Sequence, residues 1–194
     1  MDVVDLDAVL LDLPYEVRRQ LTVPLLLGLT DLHLVLQAAM GWGNAHLYDF
    51  TCGRRHRWWH DIEGEGYDQD SRPLEGATLA DILAAMGRQK SFTYTYDMGD
   101  RWEHVLRPAR PRVAAAGEAV IALHAATGAC PPEDSGGAPG FCHMLECLAD
   151  RGSDEYADYA EWLGAAAFDR AADAPALMRK VAAAAKRLSR RLAG

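Results

Sequence analysis

Apolar and polar residues alternate along the first part of the chain with the period-two pattern of β-strands. Residues 3–13 carry apolar side chains at alternate positions, and Pro14 interrupts the run before a second short strand at 17–23. The same alternation predicts a strand at 46–52, with residues 54–60 as its hairpin partner. This part of the chain is therefore predicted to supply strands to a sheet.

Helical periodicity follows in segments with recognisable ends. Thr30 is a suitable N-cap for a helix that Gly41 ends, and Thr78 and Gly87 bound a second helix in the same way. Stretches rich in glycine with aspartate or proline predict loops at 61–73 and 128–140. The other predicted elements are a β-hairpin at 91–107, a strand at 118–124, and helices at 142–150, 154–163 and 174–192.

Length and composition fit one globular domain. The chain has 194 residues, of which 49% are hydrophobic and 25% are charged, so it can bury a sizeable core. We therefore predict a single α+β domain over residues 1–194, with a mixed, largely antiparallel sheet and packed helices. Residues 142–194 are its predicted helical C-terminal part.

Nothing near the N-terminus predicts export or membrane insertion. Acidic residues interrupt the early apolar runs, and the longest run, residues 23–29, is too short to span a bilayer. The four cysteines do not form the pattern of a disulfide framework. The expected location is the cytoplasm, with no membrane partner.

The net charge of −8 is unevenly distributed. Residues 175–194 hold six basic and no acidic side chains, which leaves 14 of the 20 basic residues against all 28 acidic ones, a formal −14 on the rest of the chain. An acidic body repels phosphate backbones and attracts cationic partners. The charge therefore disfavours nucleic acid as a partner of the body.

The predicted hairpin at 91–107 carries one group of candidate site residues. With Tyr96 opposite Arg101, Asp97 and Asp100 share one face with Trp102 and His104, while the tyrosines face the core. Carboxylates and an imidazole suit a divalent metal or proton transfer. The two aspartates equally fit a local role as turn residues, and a one-residue bulge would reverse the faces.

A second group of candidates lies in the sequence CPPEDSGGAPGF, residues 130–141. Two prolines stiffen the chain before the adjacent carboxylates Glu133 and Asp134, and three glycines follow. The shape of such a loop fits presentation of Glu133 or Asp134 to a ligand or metal. It fits equally a tight connection into the next helix.

Other motifs carry less weight. Cys130, Cys142, His143 and Cys147 match no standard spacing of a structural zinc site, so no zinc is predicted there. The sequence also lacks the signature motifs of phosphate-binding loops, serine hydrolases and zinc proteases. No catalytic motif identifies an enzyme.

The order and spacing of several motifs resemble the plasmid pRiA4b open-reading-frame-three family, a group associated with mobile genetic elements. They run from about Pro14 to Asp169 and include GWGNAHLYDF, YTYDMGDRWEH and CPPEDSGGAPGF. Val17 stands where the family usually has tryptophan. The resemblance implies an α+β fold and draws attention to recurrent positions, but it implies no particular reaction. Among these positions are His46, Tyr48, Asp97, Asp100, Trp102, His104, Glu133 and Asp134.

These eight residues are the candidate ligand-binding set, and three functions compete for them. We favour a non-enzymatic binding or interaction module that takes a cationic protein or small-molecule partner between the hairpin and the Pro-Pro-Glu-Asp loop. The alternative is a metal-dependent hydrolase with zinc, manganese or magnesium. A DNA-contacting accessory of transposition is the third. The pool of metal ligands and general base comprises His46, Asp97, Asp100, His104, Glu133 and Asp134.

Overall fold

A computed structural model describes residues 1–61, 64 and 66–192, with only the backbone for 191 and 192. In this part of the chain the strands are β1 Asp2–Leu10, β2 Val17–Pro24, β3 Tyr48–Cys52, β4 His56–Trp59, β5 Ser71–Pro73, β6 Phe92–Tyr96, β7 Trp102–Pro108, β8 Arg112–Val113 and β9 Ala122–Thr127. The helices are α1 Leu29–Met40, α2 Leu79–Met86, α3 Gly137–Ala149, α4 Tyr156–Leu163 and α5 Ala174–Leu192.

The nine strands form one sheet in the order β5-β4-β3-β6-β7-β1-β2-β9, and β8 pairs with the end of β1. All pairs are antiparallel except β4 with β5. The predicted α+β class with a mixed, largely antiparallel sheet is confirmed. Strands β3, β6 and β7 lie side by side, and their adjacent ends position the candidate site.

The helices cover the sheet through apolar faces. Helix α1 packs on β2, α2 packs on β3, and α5 packs on α1 and β9. In α5 the side chains of Leu177, Val181 and Leu188 are buried, as their helical spacing predicts. Among the described residues, no helix combines the length and the hydrophobicity that a membrane crossing requires.

Several predicted boundaries differ from the structure. Helix α1 begins directly after Gly28, so Thr30 is not its N-cap, whereas Thr78 does form a capping box with Asp81 at the start of α2. The predicted loop at 61–73 contains β5, while residues 62, 63 and 65 lie outside the described residues. Helix α3 begins at Gly137, inside the predicted loop at 128–140.

The register of the β6–β7 hairpin differs from the predicted one. Tyr96 pairs with Trp102 and Tyr94 pairs with His104, so the turn spans the five residues 97–101. Because a shift of one residue exchanges the two faces of a strand, Trp102 and His104 share the buried face of the tyrosines. Their predicted placement on one face with Asp97 and Asp100 was wrong.

The turn geometry explains the shift. Asp97 and Arg101 have positive φ angles of 60° and 53°, whereas Gly99, the residue expected to take such an angle, is not left-handed. The Asp97 carboxylate accepts hydrogen bonds from the backbone N–H groups of Gly99 (2.8 Å) and Asp100 (3.2 Å). An aspartate-capped turn therefore replaces the simple glycine turn.

Candidate functional site

The hydroxyl group of Tyr96 joins the three segments that form the candidate site. It donates a 2.5 Å hydrogen bond to Oε1 of Glu133 and accepts hydrogen bonds from the backbone N–H groups of Ala45 (2.9 Å) and His46 (3.3 Å). Burial, reinforced by the bond to Glu133, raises the pKa of the Tyr96 hydroxyl far above its usual range. The loop after α1, the end of β6 and the Pro-Pro-Glu-Asp loop are thereby held together.

Glu133 connects two other segments of the chain through hydrogen bonds. Its Oε1 accepts the Tyr96 hydrogen bond, and its Oε2 accepts one of 2.7 Å from the backbone N–H of Gly43. Both carboxylate oxygens therefore already serve to tie loops together. The predicted role of Glu133 as a metal ligand or general base receives no support from this geometry.

Asp100 also connects two segments. Its Oδ2 accepts a 3.2 Å hydrogen bond from the backbone N–H of Gly136, the residue before α3. The next residue, Gly137, packs so closely that a Cβ atom there would overlap the carbonyl oxygen of Asp100. Asp100 thus fixes the hairpin turn against the start of α3. It lies outside the surface cluster of His46, Asp97 and Asp134.

His46, Asp97 and Asp134 converge at the surface. His46 Nδ1 lies 3.5 Å from Asp97 Oδ2, and His46 Nε2 lies 3.1 Å from Asp134 Oδ1. Because the turn uses Oδ1 of Asp97, its Oδ2 is the oxygen that faces the imidazole. The side chains of Asp97 and His46 are 12% and 28% exposed, and that of Asp134 is 72% exposed. One ligand atom from each lies within 4.8 Å of the others.

The environment of His46 Nε2 is the most informative detail of this cluster. The atom is buried and makes no hydrogen bond with the described residues, although Asp134 Oδ1 is 3.1 Å away, because the direction is unsuitable. A buried polar atom without a hydrogen-bond partner is uncommon. The arrangement suits a cation shared by one ring nitrogen and both carboxylates.

The surface beside this cluster is a shallow cavity of about 360 Å³. Leu47 and Met98 are exposed apolar side chains at its edge. The cavity therefore combines the Asp97 carboxylate and the His46 imidazole with apolar surface, which fits a ligand that has a polar and an apolar part. Its lining residues are Asn44, Ala45, His46, Leu47, Asp97, Met98 and Gly99.

The remaining predicted site residues are in the interior. His104 is fully buried, its Nδ1 donates to the carbonyl of Tyr94 (3.2 Å), and burial lowers its pKa to about 4. Trp102 is buried on the same face. Tyr48 is buried and its ring stacks on His33 with centroids 3.5 Å apart. The structure does not bring these three residues into the surface cluster.

Two residues that support the site were not predicted from the sequence. Trp42 donates from Nε1 to the carbonyl of Pro131 (2.8 Å) and stacks on Tyr96, with ring centroids 5.1 Å apart. Arg19 is completely buried and donates to the carbonyl of Thr127 (2.7 Å) and the thiol of Cys130 (3.2 Å). Both residues therefore hold the Pro-Pro-Glu-Asp loop in place. Trp42 lies in the GWGNAHLYDF motif, which was the available signal for that residue.

The chain is an α+β protein in which a hairpin turn, the loop after the first helix and a Pro-Pro-Glu-Asp loop meet at a histidine and two carboxylates. The chain belongs to the plasmid pRiA4b ORF-3-like protein family, whose model matches residues 2–175.

The chain is also similar to another sequence and to a solved structure. The uncharacterized protein y4hQ of Sinorhizobium fredii is 40% identical over 158 residues, which cover 80% of this chain and 78% of the relative. The crystal structure of MM3350 from Methanosarcina mazei Go1, a protein of unknown function, superposes with a TM-score of 0.74 at 28% identity. It covers 88% of this chain and 94% of that one.

Proposed function

We propose that this protein is a non-enzymatic binding module and that His46, Asp97 and Asp134 form its binding site for a divalent cation. The supporting observation is that ligand atoms of one imidazole and two carboxylates lie within 4.8 Å of one another, and that the buried Nε2 of the imidazole has no hydrogen bond within the described residues. One nitrogen and two oxygen ligands suit zinc or manganese, and magnesium less well. The bound cation then offers its open side to the cavity beside Leu47 and Met98.

Binding is favoured over catalysis because, in the part of the chain that the structure describes, no free general base lies beside the cluster. Glu133 is fully engaged by Tyr96 and Gly43, and His104 is buried in the interior. A metal-dependent reaction of the hydrolytic kind usually needs a group that accepts a proton within hydrogen-bond reach of the reacting water. The ligand of the cation is therefore proposed to be a protein or small molecule that is held rather than converted.

A metal-dependent hydrolase is the second candidate, and one observation favours it. Three protein ligands with an exposed side resemble the open coordination of catalytic zinc, where the bound water itself becomes the nucleophile. Asp134 is the most exposed of the three ligands, at 72%, so the cluster is accessible from solvent. Nucleic acid is not proposed as a partner because the body is strongly acidic. A cytoplasmic location completes the proposal, and the four free thiols support it.

Calorimetric titration with Zn²⁺, Mn²⁺ and Mg²⁺ tests the site. Asp97→Asn and Asp134→Asn remove one carboxylate each but keep side chains that tolerate the left-handed backbone of both positions. We expect each variant to bind one equivalent of metal less than the unmodified chain, and Asp169→Asn, an exposed aspartate outside the site, to bind the same amount. Unchanged stoichiometry and affinity in both site variants would overturn the proposal.

The same proteins distinguish binding from hydrolysis. The metal-loaded chain is assayed on phosphoester and amide substrates beside its Asp134→Asn variant. We expect no turnover by either. Turnover that requires Asp134 would replace the binding module with the hydrolase.

A further inference from the structure

A second group of metal-binding side chains meets between α3 and α4. His143 and Cys147 lie four residues apart on α3, and Glu155 immediately precedes α4. Residues at this spacing lie on the same face of a helix, one turn apart. His143 Nε2 is 2.8 Å from Glu155 Oε2, and Cys147 Sγ is 3.6 Å from the first atom and 3.7 Å from the second.

These separations are close to those of a tetrahedral zinc site. Zinc binds sulfur at about 2.3 Å and nitrogen or oxygen at about 2.0–2.2 Å, so tetrahedral angles place sulfur about 3.5–3.6 Å from the other two ligand atoms. Both sulfur distances agree with this value. The nitrogen–oxygen pair needs to open from 2.8 Å to about 3.4 Å, a small rotation of two half-exposed side chains.

We propose that His143, Cys147 and Glu155 bind a zinc ion. A thiolate ligand selects zinc or a softer ion over magnesium and calcium, and an imidazole and a carboxylate complete a set that suits zinc. Cys147 is buried beneath the other two, which are half-exposed, so the ion enters from the solvent side.

The packing of α4 supports a structural role for this ion. Of the described residues of α4, none is buried, and the helix packs mainly against α3. Its apolar side chains pack against the core but are only partly buried, so hydrophobic burial attaches this helix incompletely; they are Tyr156, Tyr159, Ala160 and Leu163. An ion bound by two residues of α3 and by the residue that starts α4 fixes the two helices to each other, as structural zinc does in small domains.

This zinc site is independent of the cation site proposed at His46. Its thiolate provides a separate signal, because cobalt in place of zinc gives a thiolate-to-metal charge-transfer absorption that a histidine–carboxylate site lacks. The reduced full-length chain is titrated with Co²⁺ and then with Zn²⁺. We expect one equivalent of cobalt to produce the thiolate band and zinc to displace it.

Variants assign the band to particular residues. Cys147→Ser is expected to abolish the band. His143→Asn is expected to weaken zinc binding by at least about tenfold, because removing even a residue that only hydrogen-bonds to a metal ligand typically costs that much. The matched control is Cys142→Ser, the neighbouring thiol outside the cluster. Asp134→Asn is expected to keep the band, which separates failure of this site from failure of the His46 site.

Thermal unfolding gives a readout that does not depend on cobalt. In chains that also carry Asp134→Asn, and therefore lack the His46 site, zinc is expected to raise the Tm of the otherwise unmodified chain and of Cys142→Ser but not that of Cys147→Ser. Absence of the band in the unmodified chain, its persistence in Cys147→Ser, or its loss in Cys142→Ser would each overturn the proposal.

Discussion

Tyr96 Oη lies 2.5 Å from Glu133 Oε1, and this hydrogen bond joins the end of β6 to a loop 37 residues further along the chain. The same hydroxyl accepts the backbone N–H of Ala45, so it fixes the segment that carries His46. Asp134 follows Glu133, and Asp97 follows Tyr96. Asp97 and Asp134 are therefore sequence neighbours of the two residues in this contact, and the backbone of His46 is hydrogen-bonded to it.

Tyr96→Phe tests that contact. Removal of the hydroxyl leaves the Glu133 carboxylate and the Ala45 N–H without their partners, and a hydrogen bond to a charged group contributes about 1.5–3 kcal/mol. We expect the free energy of unfolding in urea to fall by about 2–3 kcal/mol. Tyr48→Phe is the matched control, because the Tyr48 hydroxyl forms no hydrogen bond with the described residues. An equal loss in both variants would show that the hydroxyl of Tyr96 has no special role.

Glu133 and Asp134 are neighbours with opposite expected behaviour. Glu133→Gln places an NH₂ group against one of two hydrogen-bond donors, so we expect a loss of about 1–2 kcal/mol of stability with metal binding retained. Asp134→Asn changes an exposed side chain and is expected to alter stability by less than about 0.5 kcal/mol while it loses metal. Urea denaturation and metal titration of the two variants check both statements, and an exchange of the two phenotypes would contradict the assignment.

The sequence was sufficient for the fold class because its strands alternate and several helices have capping or terminating residues. Thr78 and Gly41 mark helix ends that the structure confirms. The hairpin register was not accessible in this way. It depends on an aspartate-capped turn with positive φ at Asp97 and Arg101, and a difference of one residue in that turn moves His104 from the surface to the core.

The candidate site was predictable as a set of residues but not as a geometry. Glu133 and Asp134 are adjacent carboxylates. Only the tertiary contacts with Tyr96 and Gly43 give Glu133 a structural role. The group of His143, Cys147 and Glu155 was not predicted as a zinc site, for a similar reason. His143 and Cys147 lie on one helix, but Glu155 joins them only because the chain turns back between α3 and α4.

Two buried histidines predict a loss of stability in acid. Burial lowers the pKa of both His33 and His104 from 6.5 to about 4. The unfolded chain therefore binds protons first as the pH falls, and stability decreases between about pH 6.5 and pH 4. The shift corresponds to on the order of 3 kcal/mol for each histidine. Urea denaturation at pH 7.5, 6 and 5 measures this slope.

His104→Asn separates one histidine from the other acid-sensitive groups. Asparagine keeps a donor near the position of Nδ1, which binds the Tyr94 carbonyl, but it does not titrate. We expect the variant to be less stable at pH 7.5 and to lose less stability on acidification than the unmodified chain. A slope as steep as that of the unmodified chain would show that protonation of His104 does not contribute to unfolding in acid.

Gly137 offers the sharpest test of how the hairpin turn meets α3. Its φ angle is 67°, and an added Cβ would overlap the carbonyl oxygen of Asp100. Gly164, at the end of α4, has nearly the same φ of 68° but open space around it. Gly164→Ala should therefore lower the free energy of unfolding only by the cost of a left-handed backbone at alanine, about 1–2 kcal/mol. Gly137→Ala should lower it by that amount and by about 1–3 kcal/mol more, which is typical of overpacking, because the turn and α3 have to separate.

The difference between the two alanine variants in urea denaturation isolates the contact from the backbone strain they share. The same separation would displace Asp97, which lies three residues before Asp100 in the turn. Gly137→Ala should therefore also bind the divalent cation more weakly at the His46 site, whereas Gly164→Ala should bind it normally. Equal losses of stability, with unchanged metal binding in both, would mean that the turn adjusts freely and that α3 does not position the site.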